Sequence, residues 1–228
     1  MTLRSLARIL QRVRPGRSNA PSTSATEYHF VTRWRVQGTV EEVADVLSDP
    51  TDLPRWWPSV YLDAQLTKPG DEDGIGKEVS LYTTGWLPYT LRWDFRVTES
   101  DYPHGFALEA QGDFVGRGEW TLRQDGDQVA VTYEWRVRAE KPLLRRFSFL
   151  LRPVFEANHQ WAMARGEESL RLELARRAAT GDERHQIPPP PGPTSLRTVL
   201  SPKTLFGLIS TAVGSVAGRR RDDSTSSD

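Results

Sequence analysis

Five segments of the chain, residues 77–84, 89–99, 105–111, 114–123 and 128–138, alternate apolar with polar side chains, and only a few residues separate each from the next. A period of two marks a strand with one buried face. Connections this short impose antiparallel pairing, because a parallel return needs a crossover of about a dozen residues. The connections are rich in turn formers: Gly85 to Pro88, Tyr102 to Gly105, Gly112-Asp113 and Asp125-Gly126. The last of these reads as a two-residue hairpin turn. The centre of the chain is therefore an antiparallel meander.

Upstream, residues 27–37 alternate in the same way, with Tyr28, Phe30, Thr32, Trp34 and Val36 on one face. Thr39 and Glu42 then form a capping box, in which each side chain satisfies a backbone N–H at the other residue. A short helix carrying Val43, Ala44, Val46 and Leu47 follows. Asp49-Pro50 repeats the start signal for a second short helix, which carries Trp56-Trp57 and stops at Pro58. Val60, Leu62, Ala64 and Leu66 alternate as one more strand before the turn-rich stretch 69–74.

From Pro142 to Arg177 the spacing becomes helical. Leu151, Phe155, His159, Ala162, Gly166, Leu170 and Leu174 fall three or four residues apart. Pro153 sits early enough to start this helix or to kink its first turns. The apolar stripe needs a surface to bury against, and the concave face of the meander is the large one on offer.

Composition sets the limits of the domain. All eight Trp and all six Tyr lie within residues 27–180, a stretch of the usual size for one folding unit. Whole-chain charge is zero, with 30 Lys+Arg against 30 Asp+Glu. Residues 1–26 hold five Arg and no acid, and 181–228 hold six bases and five acids, which leaves 19 bases and 25 acids, a net of −6, on the domain. A nucleic-acid partner is not expected of so acidic a domain. Zero cysteine excludes disulfides, thiol catalysis and cysteine-ligated metal. The 26 Arg against 4 Lys suit a bacterial source.

The two ends read as appendages. Leu3, Leu6, Leu10 and Val13 share a helical face, with Arg4, Arg8 and Arg12 one turn apart. Such a segment either lies on an anionic membrane, serves as a transit peptide, or is a solvated extension. Residues 181–203 form a linker containing Pro188 to Pro191. Thr204 to Gly218 is an uncharged run closed by Arg219 to Arg221, too short and too polar for a bilayer span of about 20 apolar residues. A cytoplasmic protein with peripheral membrane contact through its tails is the expected location.

The order strand, two short helices, six strands and one long helix comes with three characteristic phrases. They are Val40-Glu41-Glu42-Val43-Ala44-Asp45-Val46-Leu47-Ser48-Asp49-Pro50, Leu53-Pro54-Arg55-Trp56-Trp57-Pro58 and Asn158-His159-Gln160-Trp161-Ala162-Met163. Together they resemble the START-like superfamily, also called SRPBCC, over roughly residues 27–178. Its bacterial members are often described as polyketide cyclase/dehydrase-like. The resemblance implies an α+β helix-grip fold, in which a curved antiparallel sheet of about seven strands wraps the long C-terminal helix around an apolar cavity.

Explicit catalytic signatures are absent. There is no nucleophile elbow, no His-Glu-x-x-His and no Walker loop, and Gly116-Arg117-Gly118 lacks the third glycine of a dinucleotide fingerprint. No metal site and no cofactor are expected. His159 is the one histidine that the pattern points inward, either as a core residue satisfied by a neighbour or as an acid/base group. Asn158 beside it reads as a helix-surface amide.

Strand parity places Phe30, Trp34, Leu81, Tyr89, Leu91, Trp93, Phe95, Phe106, Leu108, Tyr133 and Trp135 on the concave side, facing Phe155 and His159. Each is a candidate ligand contact as well as a core residue. Trp56, Trp57 and Trp86, in or beside loops, are candidate gates or closures of the sheet end. A lining of this kind has few polar anchors and suits a lipid, an isoprenoid or a polyketide. Three functions follow: binding or carriage of a hydrophobic small molecule, which the absence of catalytic motifs favours; a polyketide cyclase/aromatase-type enzyme; and a chaperone-cofactor-like or toxin-like interaction module.

Overall fold

The computed structural model describes residues 27–139 and 142–194. The expectations for residues 1–26 and 204–228 lie outside them. Strands β1 (Glu27–Gln37), β2 (Tyr61–Lys68), β3 (Glu78–Thr84), β4 (Thr90–Asp101), β5 (Gly105–Gly112), β6 (Phe114–Asp125) and β7 (Gln128–Ala139) form one antiparallel sheet. Its order is β1-β7-β6-β5-β4-β3-β2, so β2 to β7 are a meander and β1 closes it along β7. Helices α1 (Val40–Leu47) and α2 (Leu53–Trp56), linked by a helical turn at Pro50–Asp52, separate β1 from β2. The long α3 (Pro142–Ala178) follows the sheet, and the four-residue α4 (Glu183–Gln186) follows α3. Pro153 lies inside α3 rather than at its start.

Local chemistry accounts for these boundaries. The capping box forms as the sequence implies: Thr39 Oγ1 accepts from Glu42 N–H and the Glu42 carboxylate accepts from Thr39 N–H. One turn differs from the sequence reading. Asp125 pairs with Gln128, so the two-residue loop is Gly126-Asp127 and not Asp125-Gly126. The reason is backbone sign, since Gly126 takes φ 68° at the first central position, where a side chain would be strained.

Two polar devices fix α3. On β1, the Arg35 N–H donates to Glu167 Oε1 at 3.1 Å, and the Arg35 carbonyl accepts from Arg171 at 3.0 Å. Glu167 and Arg171 also bind each other at 2.6 Å, so this α3 pair covers backbone groups of an edge strand that would otherwise be open to a foreign strand. Near the C-terminal end of α3, the buried Glu173 carboxylate accepts from Arg55 at 2.6 and 2.8 Å, from Arg177 at 2.8 Å and from Arg176 at 3.3 Å. Arg55 also reaches back to Asp52. Burial pushes the Glu173 carboxyl upward, but Arg55 and Arg177 outweigh it and hold the pKa at about 2. Arg176 donates to the Pro188 carbonyl at 2.9 Å, which ties the start of the Pro-rich linker to the helix.

Candidate functional site

Inward-facing aromatic residues of β4, β6 and β7 meet across the concave face. Tyr133 stacks on Trp120 with centroids 4.1 Å apart and lies 5.9 Å from Trp135; Trp135 in turn lies 5.8 Å from Trp93. Beyond this layer the middle of α3 does not fill the sheet completely. A cavity of about 140 Å³ remains, walled by Tyr28, Phe30, Leu91, Trp93, Phe114, Tyr133, Trp135 and Val137 of the sheet, and by Phe155, Asn158, His159, Ala162 and Met163 of α3. Trp57, Val60 and Tyr61 close one side, and Thr83, Thr84, Gly85 and Tyr89 close another.

His159 is held from two sides. Its ring stacks on Phe30 with centroids 4.0 Å apart, and Nε2 lies 3.5 Å from Thr32 Oγ1. Burial lowers its pKa to about 4, so the imidazole is neutral at physiological pH and offers one donor and one acceptor. Burial also pushes the phenols of Tyr61, Tyr89 and Tyr133 above their ordinary range; Tyr28 adds to the effect at Tyr89, and Tyr61 to that at Tyr133. These groups stay protonated and can donate. The hydroxyl of Tyr28, a residue only 5% exposed, is buried with no partner among the described residues. Thr83 Oγ1 is engaged by the Trp93 indole N–H at 3.2 Å. The cavity is thus richer in hydroxyls than the sequence reading, with its few polar anchors, allowed.

Asn158 corrects a second reading. It is half-buried and does not lie on an open helix surface; its Oδ1 accepts the backbone N–H groups of Trp86 at 3.0 Å and Leu87 at 3.3 Å. Gly85 permits this approach, since a Cβ there would lie 2.2 Å from Asn158 Oδ1. The amide therefore fastens the β3–β4 loop onto α3.

The sequence candidates separate into groups. Phe30, Tyr89, Leu91, Trp93, Tyr133, Trp135, Phe155, His159 and Trp57 line the cavity. Trp34, Leu81 and Leu108 face inward but lie in the solid core; Trp34 packs on Trp57 and Trp120. Phe95 and Phe106 line a smaller hollow of about 60 Å³ beside α1, because α1 covers that end of the concave face. Trp56 is fully buried and Trp57 is 3% exposed, with its ring against Gly166, so neither stands at an opening. Trp86 is half-buried in the β3–β4 loop, held through its backbone. Parity could have added Tyr28, Val60 and Phe114 to the candidates, but it points Tyr61 to the opposite face from Val60, and the pairing of this strand shifts between Tyr61 and Asp63. Thr84 and Met163 carry no comparable signal. Among the described residues there is no cluster of three or more metal-ligating side chains, and no helix is long and apolar enough to cross a membrane.

Residues 28–173 match the sequence model of a family described as polyketide cyclase / dehydrase and lipid transport. No curated protein matches the chain. Among solved structures, a protein of Thermus thermophilus is similar at 15% identity and TM-score 0.56, over 67% of this chain and all of the other. The Zhui aromatase/cyclase of a Streptomyces species is similar at 17% identity and TM-score 0.53, over 68% of this chain and 97% of the other. The di-domain aromatase/cyclase BexL gives 10% identity and TM-score 0.51, over 69% of this chain and 52% of the other. At these identities the likeness is one of fold.

Proposed function

Because the chain belongs to the polyketide cyclase/dehydrase and lipid transport family, we propose that it binds and carries a hydrophobic small molecule in the cavity between the sheet and α3. The observation that carries this reading is the cavity itself, about 140 Å³ of space lined mostly by aromatic and aliphatic side chains between the sheet and α3. Native interiors leave few voids larger than a water molecule. A dry apolar cavity of about 150 Å³ takes a ligand the size of benzene. A lipid, an isoprenoid or a polyketide therefore enters by part, or after the β3–β4 loop yields. Native mass spectrometry of the full chain, purified gently from cells, tests the reading. A co-purifying lipophilic mass that organic extraction removes supports it; a protein that arrives empty and takes up no apolar probe overturns it.

A cyclase-type enzyme is the second reading, favoured by one observation: neutral His159 and the protonated phenols of Tyr61 and Tyr133 share the same cavity. Such groups can relay the protons of an aldol closure. Turnover of a synthetic poly-β-ketone that disappears in His159→Ala supports catalysis, and binding without turnover leaves carriage.

The proposal places the protein in the cytoplasm, with no nucleic acid as partner. Its Arg-bearing ends bring it to anionic membranes that the acidic domain alone would avoid.

A further inference from the structure

We propose that Gly118 sets the largest ligand that the cavity accepts, because it leaves a notch in the sheet into which the rings of Tyr133 and Trp135 lean. This inference rests on the binding reading above and names a residue that decides ligand size.

Gly118 is buried on the concave side of β6, opposite Leu108 of β5 and Trp135 of β7; two residues on, Trp120 stands opposite Tyr133. A glycine inside a strand gives up side-chain packing and marks a place where another group comes close. Here that group is aromatic. A Cβ on Gly118 would lie 2.8 Å from the Tyr133 hydroxyl, 3.1 Å from Tyr133 Cε2 and 3.1 Å from Trp135 Cε3. Both rings line the cavity, and Gly118 itself does not. Tyr133 and Trp135 thus stand between the notch and the ligand space, and what the notch holds of them the cavity gains as room.

A methyl group at position 118 has to displace these rings, since ordinary contacts of a Cβ begin at 3.4 Å. A shift of Tyr133 toward Trp120 is blocked, because the two rings already stack at 4.1 Å and 21°. The sheet lies beneath. The free space left to the ring is the cavity, and one of about 140 Å³ feels the loss of even one methylene's room.

The test follows alkylbenzenes from benzene to n-butylbenzene on the full chain, with binding read by calorimetry and by ligand-observed NMR. Each added methylene strengthens binding about fourfold while the cavity has room for it. In Gly118→Ala that gain should stop at a shorter chain, so that n-butylbenzene binds about tenfold more weakly than to the parent while benzene stays within about twofold. Tyr133→Leu takes away the displaced ring, and in that background the same methyl should change n-butylbenzene binding by less than about threefold. This second comparison decides the matter if Gly118→Ala alone does not fold. A loss equal for every probe, or no loss at all, overturns the proposal, since the glycine then serves the sheet and not the cavity. A tenfold loss of n-butylbenzene that persists in the Tyr133→Leu background, roughly the full overpacking effect, overturns the part given to the ring. If the parent binds none of the alkylbenzenes, the carrier reading itself fails, an outcome distinct from both.

Discussion

Asn158 and Trp86 meet through the chain rather than through their side chains' apolar parts: Asn158 Oδ1 accepts the Trp86 backbone N–H at 3.0 Å and shares itself with the Leu87 N–H at 3.3 Å. One amide on α3 thus satisfies two consecutive donors of the β3–β4 loop, and the same loop supplies Gly85 and Tyr89 to the cavity wall. The fastening of the loop thus also sets part of the cavity wall.

Removing that acceptor should loosen the wall without emptying the core. Asn158→Ala leaves two half-buried N–H groups unpaired, at a cost of about 1–2 kcal/mol. Since about 1.4 kcal/mol corresponds to a tenfold change, entry and exit of an apolar fluorescent probe should each quicken on the order of tenfold in stopped flow. Asn158→Asp keeps the acceptor and should restore slow exchange. Unchanged rates in the alanine variant would show that the loop is not the path.

Gly166 lies on α3 where the Trp57 ring crosses it, and a Cβ would sit 2.3 Å from Trp57 Cζ2. Gly166→Ala gains about 1 kcal/mol of helix propensity but overpacks the crossing by about 1–3 kcal/mol. The overlap involves a rigid indole that is 3% exposed, so the packing loss wins and urea unfolding should show a less stable protein. Combined with Trp57→Leu, the same change should cost less than the sum of the two single variants, because the partner it strikes is gone.

Period-two spacing carried most of the fold, because one buried face forces alternation whatever the sheet wraps around. Leu91, Trp93 and Phe95 share a face in sequence and in structure alike. Parity does not tell which neighbour covers each of them. Leu91 and Trp93 meet the middle of α3, whereas Phe95 falls under the end covered by α1 and misses the cavity. Asn158 was invisible for a different reason: its partners are backbone groups of a loop more than seventy positions away, and backbone leaves no mark on composition or period. Glu173 reads as one more helix acid until Arg55, from a distant helix, is seen to close over it.

Acid should weaken the fold in two separable steps, and the first belongs to His159. Its folded pKa of about 4 lies below the ordinary value of 6.5, so the unfolded chain binds the proton more readily. Stability on this account is intact above about pH 6.5 and is lost as pH falls toward 4, by at most about 3 kcal/mol. His159→Phe should flatten the urea midpoint between pH 6.5 and 4.5 while leaving any steeper fall below that range. An unaltered pH profile would show that the imidazole is hydrated in the folded state.

Membrane contact through the ends can be tested on the full chain by charge alone. Replacing Arg4, Arg8 and Arg12 with Glu reverses the sign of the first segment. Each basic residue near an anionic surface contributes about 1 kcal/mol, so flotation with phosphatidylserine vesicles should drop sharply in the variant and in high salt. Equal flotation of both proteins would end the membrane proposal.

Glu173 supplies the second acid step, and its neighbours set the sign. The carboxyl is held at about 2, against an ordinary value of 4.5, by Arg55 and Arg177 in spite of its burial. A depressed folded pKa means that the contribution is complete above about pH 4.5 and is lost as pH falls toward 2. Glu173→Gln should remove this lower step and leave that of His159. It should also destabilise the protein at pH 7 by about 3 kcal/mol, since taking one partner from a buried ion pair strands the others. Arg55 is half-exposed and can turn to water or to Asp52, which places the cost toward the low end of the range for such changes. Because Arg55 belongs to α2 and Glu173 to α3, the loss should appear in hydrogen exchange first as opening between these two helices. A variant that melts at the same midpoint as the parent at both pH 7 and pH 3 would show that the arginines close over the helix without stabilising it.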